Sequence, residues 1–315
     1  MKITLLDAAT LGEDLDISPL KRFGEVIAYP KSAPGEVAER IGDSDCVIVN
    51  KVKLNESTVG DAPNLKLVCI AATGYDNVDT EYMKSRGIGV CNAVGYSTDS
   101  VAQLTLAMAL SLATNLPQFN SYVEMGEYSK SGNANCLTPV FHELSGKTWG
   151  IVGMGNIGKK VAQTAKALGC RIIVNKRTPD PQWECVDIDT LCKTADIISV
   201  HTPLNDSTRG LVSRERIASM KNDAVVINVA RGAVCDEEAL CEAIKEGRLG
   251  GIGVDVYSSE PFDESSPYYS VKSMPNVCLT PHMAWGSYEA RVRLLNDIVK
   301  SIESYLSGGN YSRLV

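Results

Sequence analysis

A glycine pattern in the middle of the chain has the residue types and the spacing that bind a pyrophosphate. Residues 153–158 read Gly-Met-Gly-Asn-Ile-Gly, after an apolar run at 149–152 and before a helical stretch at 159–168. In such a unit Gly153 permits the tight turn, Gly155 lets the backbone approach the phosphates, and Gly158 lets the helix pack close to its strand. The N–H groups and the positive dipole end at the helix start attract the anion. Six residues alone are weakly specific, but the flanking strand and helix favour a dinucleotide site over an ordinary glycine turn.

Three polar residues that could carry chemistry follow apolar runs of the second half. Arg231 comes directly after the run that ends at 230, Glu260 lies shortly after Asp255, and His282 follows 279–281. Taken singly, each has an ordinary structural explanation: a solvated strand end, a loop acid and a structural histidine. All three fall at carboxyl ends of strands in the region that holds the glycine turn, which is where ligands of open α/β sheets bind. This shared position favours a functional site.

The elements that position these residues begin with short apolar runs separated by helical patterns. The runs of the first half are 3–6, 26–29, 46–49, 67–71 and 88–91. This alternation predicts a parallel sheet covered by helices. A polar turn at 72–79 follows the fourth strand, and the backbone N–H groups of Thr73 and Gly74 could bind an anion at that edge. A plain turn explains these residues equally well.

The second half repeats the alternation with clearer strands. Its apolar runs are 148–152, 171–174, 196–200, 224–229, 251–256 and 277–279, and its helical patterns include 213–220, 236–246 and a long amphipathic stretch at 288–306. Two α/β halves without a repeat of short period predict the α/β fold class, with two doubly wound parallel-sheet domains.

We expect the boundary between the domains at a long buried helix. Residues 101–110 are apolar nearly all round, and Thr98, Asp99 or Ser100 would cap that helix. Glycine, asparagine and proline then favour a loop over 126–143. The predicted domains are a substrate domain at 1–98, completed by the closing helix within 286–315, and a dinucleotide-binding domain at 99–285.

The composition narrows the classes of partner. The chain of 315 residues has a net charge of −7 and a pI near 5.2, which argues against nucleic acid or an anionic membrane as the main partner. No segment reaches the roughly 18 apolar residues of a membrane span, and the first seven residues do not form a signal peptide. Ten scattered cysteines without a Cys-x-x-Cys pair indicate thiols in a reducing cytoplasm, and no metal site is predicted.

Several motifs together resemble the D-isomer-specific 2-hydroxyacid dehydrogenases, over essentially the whole chain. They are the glycine pattern, His-Thr-Pro-Leu at 201–204, Asn-Val-Ala-Arg-Gly at 228–232, Gly-Val-Asp-Val at 253–256 with Glu-Pro at 260–261, and Thr-Pro-His at 280–282. Residues 95–103 and 281–285 are most similar to the glycerate dehydrogenase, or hydroxypyruvate reductase, branch. The resemblance implies a Rossmann cofactor domain inserted in a flavodoxin-like substrate domain, and a homodimer.

The resemblance also implies roles for the polar residues. In the reducing direction His282 would donate a proton to the carbonyl oxygen of a small 2-oxoacid while the nicotinamide delivers hydride to the carbon. Glu260 would orient the imidazole and favour its protonated form. Arg231 would hold the substrate carboxylate, with help from the N–H groups of Thr73 and Gly74. Closure of the two domains would exclude water from the hydride transfer.

The cofactor is expected to be NADP rather than NAD. A site for NAD usually carries an acid about 20 residues after the glycine turn, where it binds the ribose hydroxyls. Here Asn-Lys-Arg-Thr stands at 175–178, and these cations and hydrogen-bonding groups suit a 2′-phosphate, although a solvated strand end with NAD bound is the alternative. The predicted cofactor-binding residues are Gly153, Gly155, Asn156, Ile157, Gly158, Asn175, Lys176, Arg177, His201, Pro203, Val229, Ala230 and Asp255.

Two alternatives stay open at this point. Within the same chemistry, a phosphoglycerate or D-lactate dehydrogenase is the runner-up to a hydroxypyruvate or glyoxylate reductase. A different class is a cofactor-sensing interaction protein on the same fold, and the set of Arg231, Glu260 and His282 does not exclude it. Turnover with a panel of 2-oxoacids and both cofactors separates these classes.

Overall fold

The computed structural model describes all 315 residues, and they divide into two compact units. The first unit comprises Met1–Ser97 and Trp285–Val315, and the second comprises Thr98–Ala284. Each unit has its own sheet, and every strand pair in both sheets is parallel. This confirms the predicted fold class. No helix is both long enough and apolar enough to cross a bilayer.

The first unit contains a five-stranded sheet in the order β2-β1-β3-β4-β5. Its strands are β1 (Lys2–Leu5), β2 (Glu25–Ala28), β3 (Cys46–Val49), β4 (Leu67–Ile70) and β5 (Gly89–Cys91). Its first helices are α1 (Val37–Ile41), α2 (Glu56–Val59) and α3 (Thr80–Ser85). All residues of β3, β4 and β5 are buried, because a parallel sheet is covered on both faces, and this explains why these strands read as unbroken apolar runs. The strand order is that of flavodoxin-like sheets.

The second unit contains a seven-stranded sheet in the order β12-β11-β10-β9-β6-β7-β8. Its strands are β6 (Thr148–Val152), β7 (Arg171–Asn175), β8 (Glu184–Cys185), β9 (Ile197–Val200), β10 (Ala224–Asn228), β11 (Leu249–Val254) and β12 (Val277–Leu279). Its helices are α4 (Thr98–Thr114), α5 (Leu116–Glu124), α6 (Glu127–Ser131), α7 (Asn156–Ala167), α8 (Ile188–Thr194), α9 (Arg214–Ala218) and α10 (Glu237–Lys245). The strand order reverses between β6 and β9, and ligands of doubly wound sheets bind at the carboxyl ends of the strands on either side of such a point.

The last helix, α11 (Tyr288–Leu306), belongs to the first unit and packs against β4. Its buried side chains recur at helical spacing and join the core of the first sheet: Ala290, Leu294, Leu295, Ile298, Val299 and Ile302. Short 3-10 helices lie at Ala8–Leu11, Ser18–Phe23, Pro34–Glu36, Gly232–Val234 and Pro267–Ser270.

Two local predictions were wrong, and one strand was not predicted. Helix α6 lies within the segment predicted to be a loop, between Gly126 and Gly132, which both have left-handed backbone angles. Helix α4 begins at Thr98, so the residues predicted to cap it lie in its first turn instead. Strand β8 was not predicted, because two residues are too few to produce an apolar run.

Candidate active site

The glycine turn joins β6 to α7 and meets the steric demands expected of it. Gly153 has φ +94°, and a Cβ there would lie 2.7 Å from the backbone nitrogen of Thr202. A Cβ at Gly158 would lie 2.2 Å from the carbonyl oxygen of Gly153, so this glycine allows the helix to approach its strand. The protein's own packing leaves open space in front of Gly155, where a Cβ would meet no atom within 4 Å. That space is where the backbone of such a turn approaches a pyrophosphate.

The start of α7 is also suited to an anion. Asn156 is its first residue and is exposed, Ile157 follows it half-buried, and no side chain caps the N–H groups of the first turn. Uncapped N–H groups and the helix dipole together attract a phosphate. The residues present therefore fit a bound dinucleotide.

The end of β7 carries the cations predicted to select the cofactor. Lys176 forms an ion pair with Asp180, at 3.4 Å between Nζ and Oδ2, whereas Arg177 is exposed. The side chain of Asn175 donates to the carbonyl of Val186 at 3.1 Å and so links β7 to the segment after β8. The pKa of Asp180 lies below its ordinary value, chiefly because the backbone N–H of Gln182 donates to the carboxylate and then because of Lys176.

Asp180 was missed in the sequence analysis. It stands 180 − 158 = 22 residues after the last glycine of the turn, close to the spacing expected of a ribose-binding acid. That spacing is the sequence signal that could identify it. Because Asp180 partly neutralises Lys176, the loop offers less positive charge than its sequence indicates.

His201 follows β9, and its imidazole lies in a buried hydrogen-bonded chain. Ring Nε2 lies 2.9 Å from Oγ of Ser199, and the same Oγ accepts the indole N–H of Trp149 at 2.9 Å. The indole N–H can only donate, so Oγ of Ser199 accepts from Trp149 and donates its own proton to Nε2. The proton of the neutral imidazole then lies on Nδ1. Nδ1 is buried without a hydrogen-bond partner. Burial lowers the pKa of His201 to about 3, so the ring is neutral at physiological pH.

The turn after β10 presents Arg231. Asn228 is fully buried and organises this turn: its Nδ2 donates to the carbonyl of Arg231 at 2.9 Å, and its Oδ1 accepts the N–H of Ala230 at 3.1 Å. The guanidinium in turn donates to the carbonyl of Ala230 at 2.8 Å. Val229 is buried in the same turn. Asn228 is therefore a supporting residue of the site, and the Asn-Val-Ala-Arg-Gly motif alone does not predict this role.

His282 and Glu260 form a close pair beside β11 and β12. Nδ1 of His282 lies 2.6 Å from Oε2 of Glu260, and both side chains are partly exposed. The other carboxylate oxygen, Oε1, accepts the backbone N–H of Tyr257 at 3.0 Å. Because both oxygens are engaged, the carboxylate is fixed in orientation and Nδ1 is the nitrogen that carries its hydrogen bond. Since Nδ1 faces the carboxylate, a proton exchanged with a substrate would pass through Nε2.

Asp255 holds the loop that carries His282. The residue is 1% exposed, and its carboxylate accepts the hydroxyl of Thr280 at 2.6 Å and the backbone N–H groups of Met283 at 2.8 Å and Ala284 at 2.9 Å. Burial raises the pKa of Asp255, against the opposing effect of these hydrogen bonds. The contact with the cofactor stays a prediction, whereas the bracing of the His282 loop is a direct observation.

Thr73 and Gly74 lie in the first unit, directly after β4. The hydroxyl of Thr73 donates to the carbonyl of Ala93 at 2.8 Å, and its own carbonyl accepts Nδ2 of Asn92 at 2.7 Å. The backbone N–H groups of Thr73 and Gly74 donate no hydrogen bond within the protein. These groups are thus available to an anion, and their role in substrate binding stays a prediction.

The fold and the site define a class of protein: a doubly wound dehydrogenase with a dinucleotide turn and an imidazole, carboxylate and guanidinium at the strand ends. The chain belongs to the D-isomer specific 2-hydroxyacid dehydrogenases. The family description "D-isomer specific 2-hydroxyacid dehydrogenase, NAD binding domain" matches residues 106–284.

Individual relatives agree with this assignment. The chain is 34% identical to the hydroxypyruvate reductase of Blautia hydrogenotrophica over 98% of both chains. It is also 34% identical to the glycerate dehydrogenase of Methylorubrum extorquens, over 98% of this chain and 96% of that one. A solved acyclic imino acid reductase in complex with NADPH and D-Arg is 30% identical, with a TM-score of 0.87 over the full length of both chains.

Proposed function

We propose that the protein reduces a small 2-oxoacid to the D-2-hydroxyacid with NAD(P)H, and catalyses the reverse reaction, with hydroxypyruvate or glyoxylate as the favoured substrate. The observation that carries this proposal is the 2.6 Å pair of His282 and Glu260 in the unit that also holds the glycine turn. The names of the hydroxypyruvate reductase and glycerate dehydrogenase relatives support the substrate class.

His282 is the proton donor and acceptor of the proposed reaction. In reduction, Nε2 gives its proton to the carbonyl oxygen of the substrate as the carbonyl carbon gains a hydride, so that a C–H and an O–H bond replace the C–O π bond. A bound nicotinamide supplies that hydride. The negative charge of Glu260 stabilises the imidazolium that reduction requires. In oxidation the neutral ring takes the hydroxyl proton instead.

Arg231 binds the carboxylate of the substrate in this proposal. A guanidinium presents two parallel N–H donors, which match the two oxygens of a carboxylate. Asn228 fixes the turn of Arg231, and this supports a defined direction for the side chain. The N–H groups of Thr73 and Gly74 would add donors to the same carboxylate.

We propose NADP as the preferred cofactor. Lys176 and Arg177 follow the strand next to the glycine turn, and the exposed guanidinium of Arg177 is suited to a 2′-phosphate. The imino acid reductase bound to NADPH supports this choice by analogy. Asp180 opposes it, because its carboxylate competes with the phosphate for Lys176.

Steady-state turnover tests the proposal. The protein would be assayed with hydroxypyruvate, glyoxylate, pyruvate and a phosphorylated 2-oxoacid, each with NADPH and NADH. Highest kcat/KM on hydroxypyruvate or glyoxylate is expected, whereas a preference for the phosphorylated acid or pyruvate would indicate a phosphoglycerate or D-lactate dehydrogenase. Cofactor binding without turnover of any acid would indicate an interaction protein that senses the cofactor.

A homodimer is also proposed, through the segment 110–141 of the second unit. Large exposed apolar side chains concentrate there, at Leu110, Leu116, Val123, Met125, Tyr128, Leu137, Val140 and Phe141. A groove of about 530 Å³ lies between this segment, which contributes Phe119, Tyr122 and Met125, and residues 274–278. Apolar surface concentrated in this way is typical of protein–protein contacts. Val140→Glu should produce monomers in light scattering, whereas Leu306→Glu, at an exposed apolar residue of α11, should not.

All ten cysteines are free thiols, and this supports the proposed cytoplasmic location.

A further inference from the structure

Glu237, the first residue of α10, contacts the segment that leads to Glu260. Its Oε1 accepts the backbone N–H of Ser258 at 2.9 Å. We propose that Glu237 is a positioning residue, which holds the 257–260 segment so that Glu260 meets His282 in the correct orientation. This inference rests on the proposed function, because it assigns Glu237 to the acid–base pair of that reaction.

The packing around Gly232 leaves the two loops little freedom. A Cβ at Gly232 would lie 2.3 Å from the backbone nitrogen of Ser258 and 2.6 Å from Oε1 of Glu237. The turn that carries Arg231 therefore lies directly against the segment that leads to Glu260, with the Glu237 carboxylate at their contact. A shift of that carboxylate must displace one loop or the other, because close-packed protein interiors contain few empty spaces.

The backbone carries the effect from Glu237 to His282 in two steps. Ser258 and Tyr257 are consecutive, and while Glu237 holds the N–H of Ser258, the N–H of Tyr257 donates to Oε1 of Glu260 at 3.0 Å. The other oxygen of Glu260, Oε2, forms a hydrogen bond with Nδ1 of His282 at 2.6 Å. The phenol of Tyr257 donates to the carbonyl of Thr280 at 2.8 Å, which ties the same segment to the strand end before His282.

The setting of Glu237 is acidic and partly buried. Burial raises the pKa of Glu237, and the hydrogen bonds from Ser258 oppose this effect. The charged and titratable groups around it are Asp236, Glu260, Cys235, Cys241 and Tyr268. Desolvation and repulsion from Glu260 oppose a charged Glu237, whereas hydrogen bonding from Ser258 favours it.

Five variants test this role: Glu237→Ala, Glu237→Gln, Glu237→Asp, Glu260→Gln and the double variant Glu237→Ala with Glu260→Gln. For each, kcat/KM for the 2-oxoacid would be measured against pH, together with the Kd of the cofactor and the Tm. Glu238→Ala is the matched control, because Glu238 is the exposed neighbour on the same helix turn.

Glu237→Ala should lower kcat/KM about tenfold, as expected for loss of one hydrogen bond to a charged group. It should also move the high-pH limb of the reductive profile towards lower pH, the same direction as expected for Glu260→Gln, with cofactor binding unchanged. Glu237→Gln keeps an acceptor oxygen and should stay near the parent. Glu237→Asp is too short to reach Ser258 and should behave like the alanine variant, which keeps the test valid if Glu237→Ala fails to fold.

The double variant decides between positioning and a separate structural effect. If Glu237 acts through Glu260, the double variant should match Glu260→Gln within about twofold, because residues that act as one unit are not additive. Fully additive losses of kcat/KM in the double variant would overturn the positioning role of Glu237 but not the acid–base pair. An unchanged pH limb in both Glu237→Ala and Glu237→Asp would have the same meaning. An unmoved limb in Glu260→Gln overturns the proposed acid–base pair, and this inference with it.

Discussion

The carboxylate of Glu260 lies 2.6 Å from Nδ1 of His282, and the backbone N–H of Tyr257 fixes its second oxygen. The two side chains are 282 − 260 = 22 residues apart in the sequence and meet because one follows β11 and the other follows the neighbouring strand β12. The pair therefore depends on the parallel sheet and on the loop that Asp255 holds. The pair places a carboxylate oxygen directly against a ring nitrogen of the imidazole.

The two reaction directions need opposite protonation states of His282, so loss of the Glu260 charge should have opposite pH effects in them. Glu260→Gln removes the negative charge beside the imidazolium, so reduction should lose activity at lower pH than in the parent. Oxidation needs the neutral ring and should gain activity at lower pH. Profiles of kcat/KM against pH in both directions measure these limbs, with His282→Ala expected to be much worse in each. Unchanged limbs would show that Glu260 does not support His282.

Arg231→Lys tests the carboxylate site. Lysine keeps the charge but loses the two parallel donors, so kcat/KM for 2-oxoacids should fall by about a hundredfold, while cofactor Kd stays nearly unchanged. Arg248→Lys is the control, because Arg248 precedes the amino end of β11, at the opposite edge of the same sheet. Near-parent kinetics in Arg231→Lys would mean that another group holds the substrate.

Most of the fold could be predicted because parallel strands are buried on both faces. The runs 148–152 and 277–279 match β6 and β12 at both ends, and 288–306 matches α11, whose apolar side chains recur at helical spacing. Strand β8 could not be predicted, because only the pairing of its two residues with β7 identifies it as a strand. Local pattern thus located the elements whose apolar side chains form a run or recur at helical spacing.

The supporting residues of the site could not be found in this way. Asn228 and Glu237 act through bonds to backbone groups of turns, and neither bond has a signature in residue type or spacing. His201 shows the converse: the motif identified the residue, but only the chain through Ser199 to Trp149 reveals that its ring is buried and neutral.

The buried ring of His201 predicts a dependence of stability on pH. Its folded pKa is about 3, below the ordinary value of 6.5, so the unfolded chain binds the proton first as the pH falls. The stability from this residue is therefore full above about pH 6.5 and is lost on acidification, by at most about 1.4 kcal/mol per pH unit between these values. His201→Asn should flatten the fall of Tm between about pH 6.5 and 4.

His142→Asn is the control for this experiment, because it removes an exposed histidine instead of a buried one. A Tm profile of His201→Asn that runs parallel to that of the parent would mean that the imidazole is hydrated in the folded protein. Emission of Trp149 should change in the same variant, since its indole N–H shares the serine hydroxyl with the ring.

The ion pair of Lys176 and Asp180 predicts two opposite changes in cofactor preference. Replacing Lys176 and Arg177 by Gln should weaken NADPH far more than NADH, because only NADPH carries the 2′-phosphate. Asp180→Asn releases Lys176 from its 3.4 Å partner and should raise the NADPH to NADH ratio of kcat/KM by roughly three- to tenfold. Lys166→Gln, an exposed change in the last turn of α7, should leave the ratio unaltered. Equal losses for both cofactors in the glutamine variant, or a strong NADH preference in the parent, would show that this strand end does not bind the phosphate.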